Sequence, residues 1–223
     1  MRSILVAGFI SFLVSIFGTP WVIRFLTRYG IGQEIRTDGP TTHQSKRGTP
    51  TMGGVLIIAA TIAGFAAALL ADFGAKRLGL VSESRGPSKG ALLLLGLFVA
   101  LGALGFVDDF ISVRRQRSLG LDTKAKLVAQ FVIAVTFALL ALRLKNARNQ
   151  TPDTILSFPR GSWALPIGVV GFVVLVYLIV TATSNAVNLT DGLDGLATGT
   201  SVMVLISYTL IGFWEFRHAC IGA

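Results

Sequence analysis

The chain alternates long apolar runs with short polar connections. Six runs approach or reach the roughly 17 to 25 residues that carry a helix across a bilayer. They cover residues 4–23, 52–71, 91–107, 127–142, 163–183 and 196–214, and the fourth is among the shortest. The pattern predicts an all-α, polytopic membrane protein, with residues 1–223 forming a single transmembrane domain. The first run follows Met1-Arg2-Ser3, as the core of a signal peptide would. It is long for that role and lacks an A-x-A cleavage site, so it is read as a span.

Six spans place the connections alternately on two faces of the membrane. Residues 24–51, 108–126 and 183–195 share one face. The N-terminus, residues 72–90 and 143–162, and the C-terminus share the other. An excess of Lys and Arg ordinarily marks the cytoplasmic side, but here the 20 Lys and Arg divide evenly between the faces. Charge therefore leaves the orientation open. Unusual sequence is not evenly divided. HQSKRGTPTMGG at 43–54, GFVDDF at 105–110, LDTKAK at 121–126 and NAVNLTDGLDG at 185–195 all fall on the first face, while the second carries ordinary polar stretches such as NARNQTPD. One surface is built for a task.

Composition agrees with the span count and narrows the partners. The chain is 52% hydrophobic and 14% charged, against about 25% charged for soluble domains, and its mean hydropathy is +0.71. A net charge of +9 raises nucleic acid as a partner. The basic residues, however, alternate with spans rather than forming one patch. The lipid bilayer, with its anionic headgroups, and phosphorylated substrates suit them better, and no nucleic acid is expected. The single Cys220 excludes an intrachain disulfide.

The four unusual stretches divide the chemistry among them. Asp108 and Asp109 are expected to end the third span, where two adjacent carboxylates would meet the negative end of the helix dipole. A cation, a shared proton or a nearby lysine would relieve them, so they suit a metal ligand or a general base; the plainer reading is interfacial charge. Asp191 and Asp194 are three apart and are expected on one face of the sixth helix, where capping alone is an alternative for either. Asn188, Asp191 and Asp194 offer the oxygen ligands that Mg²⁺ prefers, with Asn188 and Asp191 the metal candidates. Lys46 and Thr51, ahead of Gly53-Gly54, suit a phosphate at a helix start, or serve only as a juxtamembrane anchor. Lys124 and Lys126 stand before the fourth span, to meet a lipid phosphate or to snorkel. Acids for a metal, cations for phosphates and glycines for close approach suggest phosphoryl transfer, in which positioning and charge neutralisation do most of the catalysis.

GTPTMGG, GFVDDF and NAVNLTDGLDGLA, in this order and in these places between spans, resemble the phospho-N-acetylmuramoyl-pentapeptide transferases of the polyprenyl-phosphate N-acetylhexosamine-1-phosphate transferase superfamily. The acidic motifs are similar to the superfamily at large, and KRGTPTMGG to this branch. The resemblance implies transfer of phospho-MurNAc-pentapeptide from UDP-MurNAc-pentapeptide to undecaprenyl phosphate, giving lipid I and UMP with Mg²⁺. It implies a bacterial cytoplasmic membrane location with the motif-bearing face cytoplasmic, and it admits a homodimer. By motif, Asp108 and Asp109 correspond to a catalytic aspartate pair, acting as base or as covalent nucleophile. Asn188, Asp191 and Asp194 correspond to the nucleotide and metal site, Lys46 and Thr51 to the substrate loop, and Lys126 to a lysine near the lipid phosphate.

The family's roughly ten spans, its G-D-x-G-S motif and its H-H-H loop are not all matched: six spans and neither motif stand here. The chain is expected to be the N-terminal part of such an enzyme, inactive alone. Three rivals stay open. A related UDP-GlcNAc transferase would share the acids, though TPTMGG argues against it. An ion-coupled transporter would place its acids near the bilayer midplane, whereas these lie at span ends; a purely structural subunit would need none of them.

Overall fold

The computed structural model describes residues 2–32, 50–80, 86–115, 120–144, 154–157, 164–193 and 195–218. Every expected span is a helix: α1 (Arg2–Arg28), α2 (Gly54–Arg77), α3 (Lys89–Arg115), α4 (Thr123–Arg143), α5 (Gly168–Thr190) and α6 (Leu196–His218). All six are long and apolar enough to cross a membrane. Large apolar side chains point away from protein along them, Phe17 at 74% and Val170 at 77% exposure. Lipid, not protein, is the medium those faces suit.

Several helices outrun their apolar runs. Hydropathy stops at the first charge, but the hydrogen-bond ladder does not. α1 continues through Arg24 to Arg28; Trp21 stacks on Phe25, and Phe25 meets a tilted Tyr29 just past the helix, with ring centroids 5.8 and 4.7 Å apart. Such aromatic rings beside arginines suit the headgroup level of a bilayer. α3 continues to Arg115, so Asp108 and Asp109 stand inside a helix rather than at its end. That corrects the expected position: the chain there has no reason to stop, because Phe106 and Phe110 stack one turn apart at 6.1 Å and nothing breaks the ladder.

The fifth run begins differently from expectation. Ala164–Pro166 form a strand, β2, antiparallel to β1 (Ile155–Ser157), with Ile155 opposite Pro166 and Ser157 opposite Ala164. Pro166 is tolerated because a two-stranded ladder is all edge. Gly168 then takes φ +64°, in the left-handed region, and α5 starts there.

The helices fall into two compact units, Met1–Val173 and Val174–Ala223. In the first, α2 packs between α1 and α3, and α4 packs on α3. Small residues set these distances, since inside lipid the attraction between helices comes from close packing rather than from water exclusion. Ala60, Gly64 and Ala68 form a buried stripe on α2, one per turn. A Cβ added to Gly64 would meet Ser11 and stand 2.5 Å from the Ala7 carbonyl oxygen of α1. At the far end of that antiparallel pair, Ser3 Oγ donates to Asp72 Oδ1 at 2.8 Å. α4 buries a matching stripe of Gln130, Ala134 and Ala138.

The second unit holds most of α5, the turn at 191–193 and α6. Three hydroxyls of α6 return to their own helix: Thr200 Oγ1 donates to Leu196 O at 2.9 Å, Ser207 Oγ to Met203 O at 2.9 Å and Thr209 Oγ1 to Leu205 O at 2.7 Å. A polar atom on a lipid-facing helix satisfied in this way needs no second partner.

Candidate active site

Asp108 and Asp109 are neighbours on α3, so at 3.6 residues per turn their side chains leave the helix about 100° apart. Each therefore finds a different neighbour. Asp108 turns toward the segment that leads into α4. Its Oδ1 accepts the backbone N–H of Leu121 at 2.6 Å, and its Oδ2 accepts from Lys126 Nζ at 3.1 Å. Asp109 turns toward the start of α2, where Thr51 Oγ1 donates to its Oδ2 at 3.3 Å.

Local structure explains why these donors are in place. α4 starts at Thr123 after Asp122, and the Lys126 N–H reaches the Asp122 carbonyl at 2.9 Å. Lys126 thus lies one turn into the helix. Side chains on a helix lean toward its N-terminus, which carries the lysine back toward the end of α3. The side chains of Lys126 and Asp108 are 20% and 19% exposed, half-sheltered at the edge of the apolar region. Thr51 is fixed from both sides. Pro50 forms an isolated bridge with Gly32, and Met52 turns the chain at φ +69° with its side chain buried. A left-handed conformation at a residue other than glycine costs about 1–2 kcal/mol, and the buried Met52 side chain offsets it. The expected glycine start of the second helix is observed, with Gly53 as N-cap and Gly54 the first residue of α2.

Sequence reasoning grouped Asp108, Asp109, Thr51 and Lys126 by face, and the structure brings all four together at one end of the first unit. The Leu121 amide was missed, because a backbone donor leaves no signature in residue type. Lys46 and Asp194 lie outside the described residues. Asn188 and Asp191 belong to the second unit. Asn188 is exposed on the last turn of α5, and Asp191 is exposed in the turn that follows, its N–H donating to Val187 O at 3.1 Å. Asp191 therefore stands in the turn before α6 rather than on that helix, contrary to expectation. α5 stays wound to Thr190, and α6 cannot begin before Gly195, which takes φ +79°.

The implied Mg²⁺ can be weighed against these donors. Asn188 and Asp191 supply an amide oxygen and a carboxylate, both open to solvent, and Mg²⁺ typically takes one or two carboxylates and completes its shell with water and substrate phosphates. That chemistry fits. Asp108 fits less well, because an ammonium already stands against one of its oxygens. Among the described residues, no three His, Cys, Asp or Glu side chains gather into a cage.

Six helices long and apolar enough to cross a membrane, with carboxylates, a lysine and a hydroxyl gathered within the first unit, define a multi-pass membrane protein with a polar site suited to phosphate chemistry. The model of glycosyl transferase family 4 matches residues 91–222, and the chain belongs to that family. Residues 46–58 match phospho-N-acetylmuramoyl-pentapeptide-transferase signature 1, the segment that delivers Thr51 to Asp109. The chain is 51% identical over 221 residues to the phospho-N-acetylmuramoyl-pentapeptide-transferase of Rhodococcus opacus, covering 99% of this chain and 60% of the relative. It is 49% identical over 222 residues to the transferase of the same name from Frankia alni, covering 99% and 59%. The match to that of Mycolicibacterium vanbaalenii is 49% over 221 residues, covering 99% and 60%. The chain thus spans about 60% of the length of the curated relatives it matches. With the six apolar helices, these relatives make it a multi-pass bacterial membrane protein.

Proposed function

We propose that the protein transfers phospho-MurNAc-pentapeptide from UDP-MurNAc-pentapeptide to undecaprenyl phosphate, forming lipid I and releasing UMP. An oxygen of the lipid phosphate bonds to the sugar-linked phosphorus, and the bridge to the uridylate phosphate breaks. UMP leaves with that electron pair. Lys126 neutralises the lipid phosphate as it approaches, and the Asp108–Asp109 pair positions or deprotonates it; attack by an aspartate oxygen to give a covalent intermediate is the rival route. Lys46 and Thr51 serve the substrate from the loop ahead of α2, and Asn188, Asp191 and Asp194 serve the nucleotide. Mg²⁺, held by Asn188 and Asp191 when bound, would neutralise the diphosphate. The nucleotide is cytosolic, so the motif-bearing face is assigned to the cytoplasm.

The observation that carries this reading is a conjunction. A family 4 chain bears signature 1 across residues 46–58, and the threonine within that signature contacts one acid of a pair whose other acid holds Lys126. Phosphoryl transfer asks for positioned charge of both signs at one place. The test uses the product of the complete source reading frame, since the chain alone is expected to be inactive. Membranes containing that product are offered undecaprenyl phosphate with either UDP-MurNAc-pentapeptide or UDP-GlcNAc, and the lipid-linked product is followed by chromatography. Turnover of the muramoyl substrate is expected. Turnover of UDP-GlcNAc alone would move the protein to the related sugar-1-phosphate transferases, and turnover of neither would remove the reading.

A further inference from the structure

Gly120 lies against Asp108. A Cβ built on Gly120 would collide with both the Oδ1 and the backbone carbonyl oxygen of Asp108. The space, not the backbone angle, is what excludes a side chain, because Gly120 is not among the residues with positive φ. The next residue, Leu121, gives its N–H to that same Oδ1 at 2.6 Å, and Lys126 Nζ takes the other oxygen at 3.1 Å. One short segment therefore grips both oxygens of Asp108, and it can lie that close only where residue 120 has no side chain.

We infer that Gly120 is a positioning residue for Asp108, setting the direction of its carboxylate through the Leu121 amide and the Lys126 ammonium. The inference rests on the reading of Asp108 as part of the transferase site, but the contact itself does not. A methyl group at position 120 must push against the helical backbone of α3, which cannot yield as the tip of a flexible side chain would. The segment moves instead. Leu121 N–H loses its acceptor, α4 starts farther from α3, and the Asp108 carboxylate swings. A displacement of about 1 Å at a reacting group costs up to about 100-fold in rate. Substrate binding by residues on other elements is untouched, so the loss falls on kcat rather than KM.

The test uses the gene product in membranes or mild detergent, with Gly120→Ala, Asp108→Ala, the double variant, and Gly96→Ala as a control. Gly96 lies on α3 with nothing within 4 Å of its would-be Cβ. Hydrogen–deuterium exchange of peptides covering 120–126 reads the contact directly. Gly120→Ala and Asp108→Ala should each speed exchange there, the double variant should add nothing further, and Gly96→Ala should match the wild type. Transferase kinetics read the consequence. For Gly120→Ala, kcat should fall about 10- to 100-fold with the KM for the nucleotide substrate within about threefold. Unchanged exchange in Gly120→Ala, or a full further increase in the double variant, would overturn the inference. Faster exchange with kcat untouched in both Gly120→Ala and Asp108→Ala would leave the contact standing and remove the catalytic reading of Asp108. If Gly120→Ala accumulates poorly, Asp108→Ala alone carries the test, because the backbone of α3 still blocks a methyl at position 120; exchange over 120–126 that Asp108→Ala leaves unchanged would overturn the inference.

Discussion

Replacing Lys126 with Met tests the ion pair at the centre of the site. Met keeps much of the apolar stem and removes the ammonium, leaving Asp108 with the Leu121 N–H alone among the contacts described for it. The pair is 3.1 Å long and its two side chains are 20% and 19% exposed. Fully exposed pairs contribute about 0–1 kcal/mol, and breaking a fully buried one costs about 3–5 kcal/mol. This pair lies between, so about 2 kcal/mol is expected, which for a chain of this size lowers Tm by about 4–8 °C. Thermal unfolding in mild detergent, followed by tryptophan fluorescence, measures it. Asp108→Asn and the double variant complete a cycle, with the amide oxygen still able to accept from Leu121. A coupling of about 1–2 kcal/mol is expected, weakening in high salt because the pair is not fully sheltered. A coupling within about 0.3 kcal/mol of zero would refute the reasoning.

Two other changes separate related effects. Thr51→Val removes the donor to Asp109 with little change of shape, costing about 1 kcal/mol and slowing the proposed transfer about fivefold, whereas Thr51→Ser keeps the hydroxyl and most of the rate; equal rates in the two variants in the kinetic assay would contradict the contact. Gly64→Ala meets backbone of α1, while Gly102→Ala meets only the flexible end of Ile58 on α2. Gly64→Ala should therefore lose about 1–3 kcal/mol in the same unfolding assay and Gly102→Ala distinctly less; the reverse order would show that these glycines do not set the helix spacing.

The spans were legible because the bilayer imposes one demand on every residue between its surfaces. A run without charge is long enough to cross or it is not. The ends were less legible. Asp108 and Asp109 looked like the end of a span because hydropathy ends there, yet α3 carries on to Arg115, since a helix leaving the hydrocarbon can solvate its charges without unwinding. Met52 looked like the first residue of a span and instead supplies a left-handed turn, a conformation that methionine rarely takes and that sequence alone would assign to glycine. The separate destinations of Asp108 and Asp109 follow from helix geometry once the helix is known to continue. The grip of residues 120–126 on Asp108 does not: a backbone amide and an absent side chain leave no trace in residue chemistry, and the glycine in SLGLDTK reads as an ordinary loop residue until its distance to Asp108 is known.

The most direct measurement is undecaprenyl-phosphate-dependent release of UMP from UDP-MurNAc-pentapeptide, in membranes holding matched amounts of wild type, Asp108→Asn and Asp109→Asn gene product. Release that requires the lipid phosphate in the wild type, and that falls about 100-fold or more in each variant, is the expected result. Wild-type rates in both variants would place the chemistry elsewhere and contradict the assignment of this site.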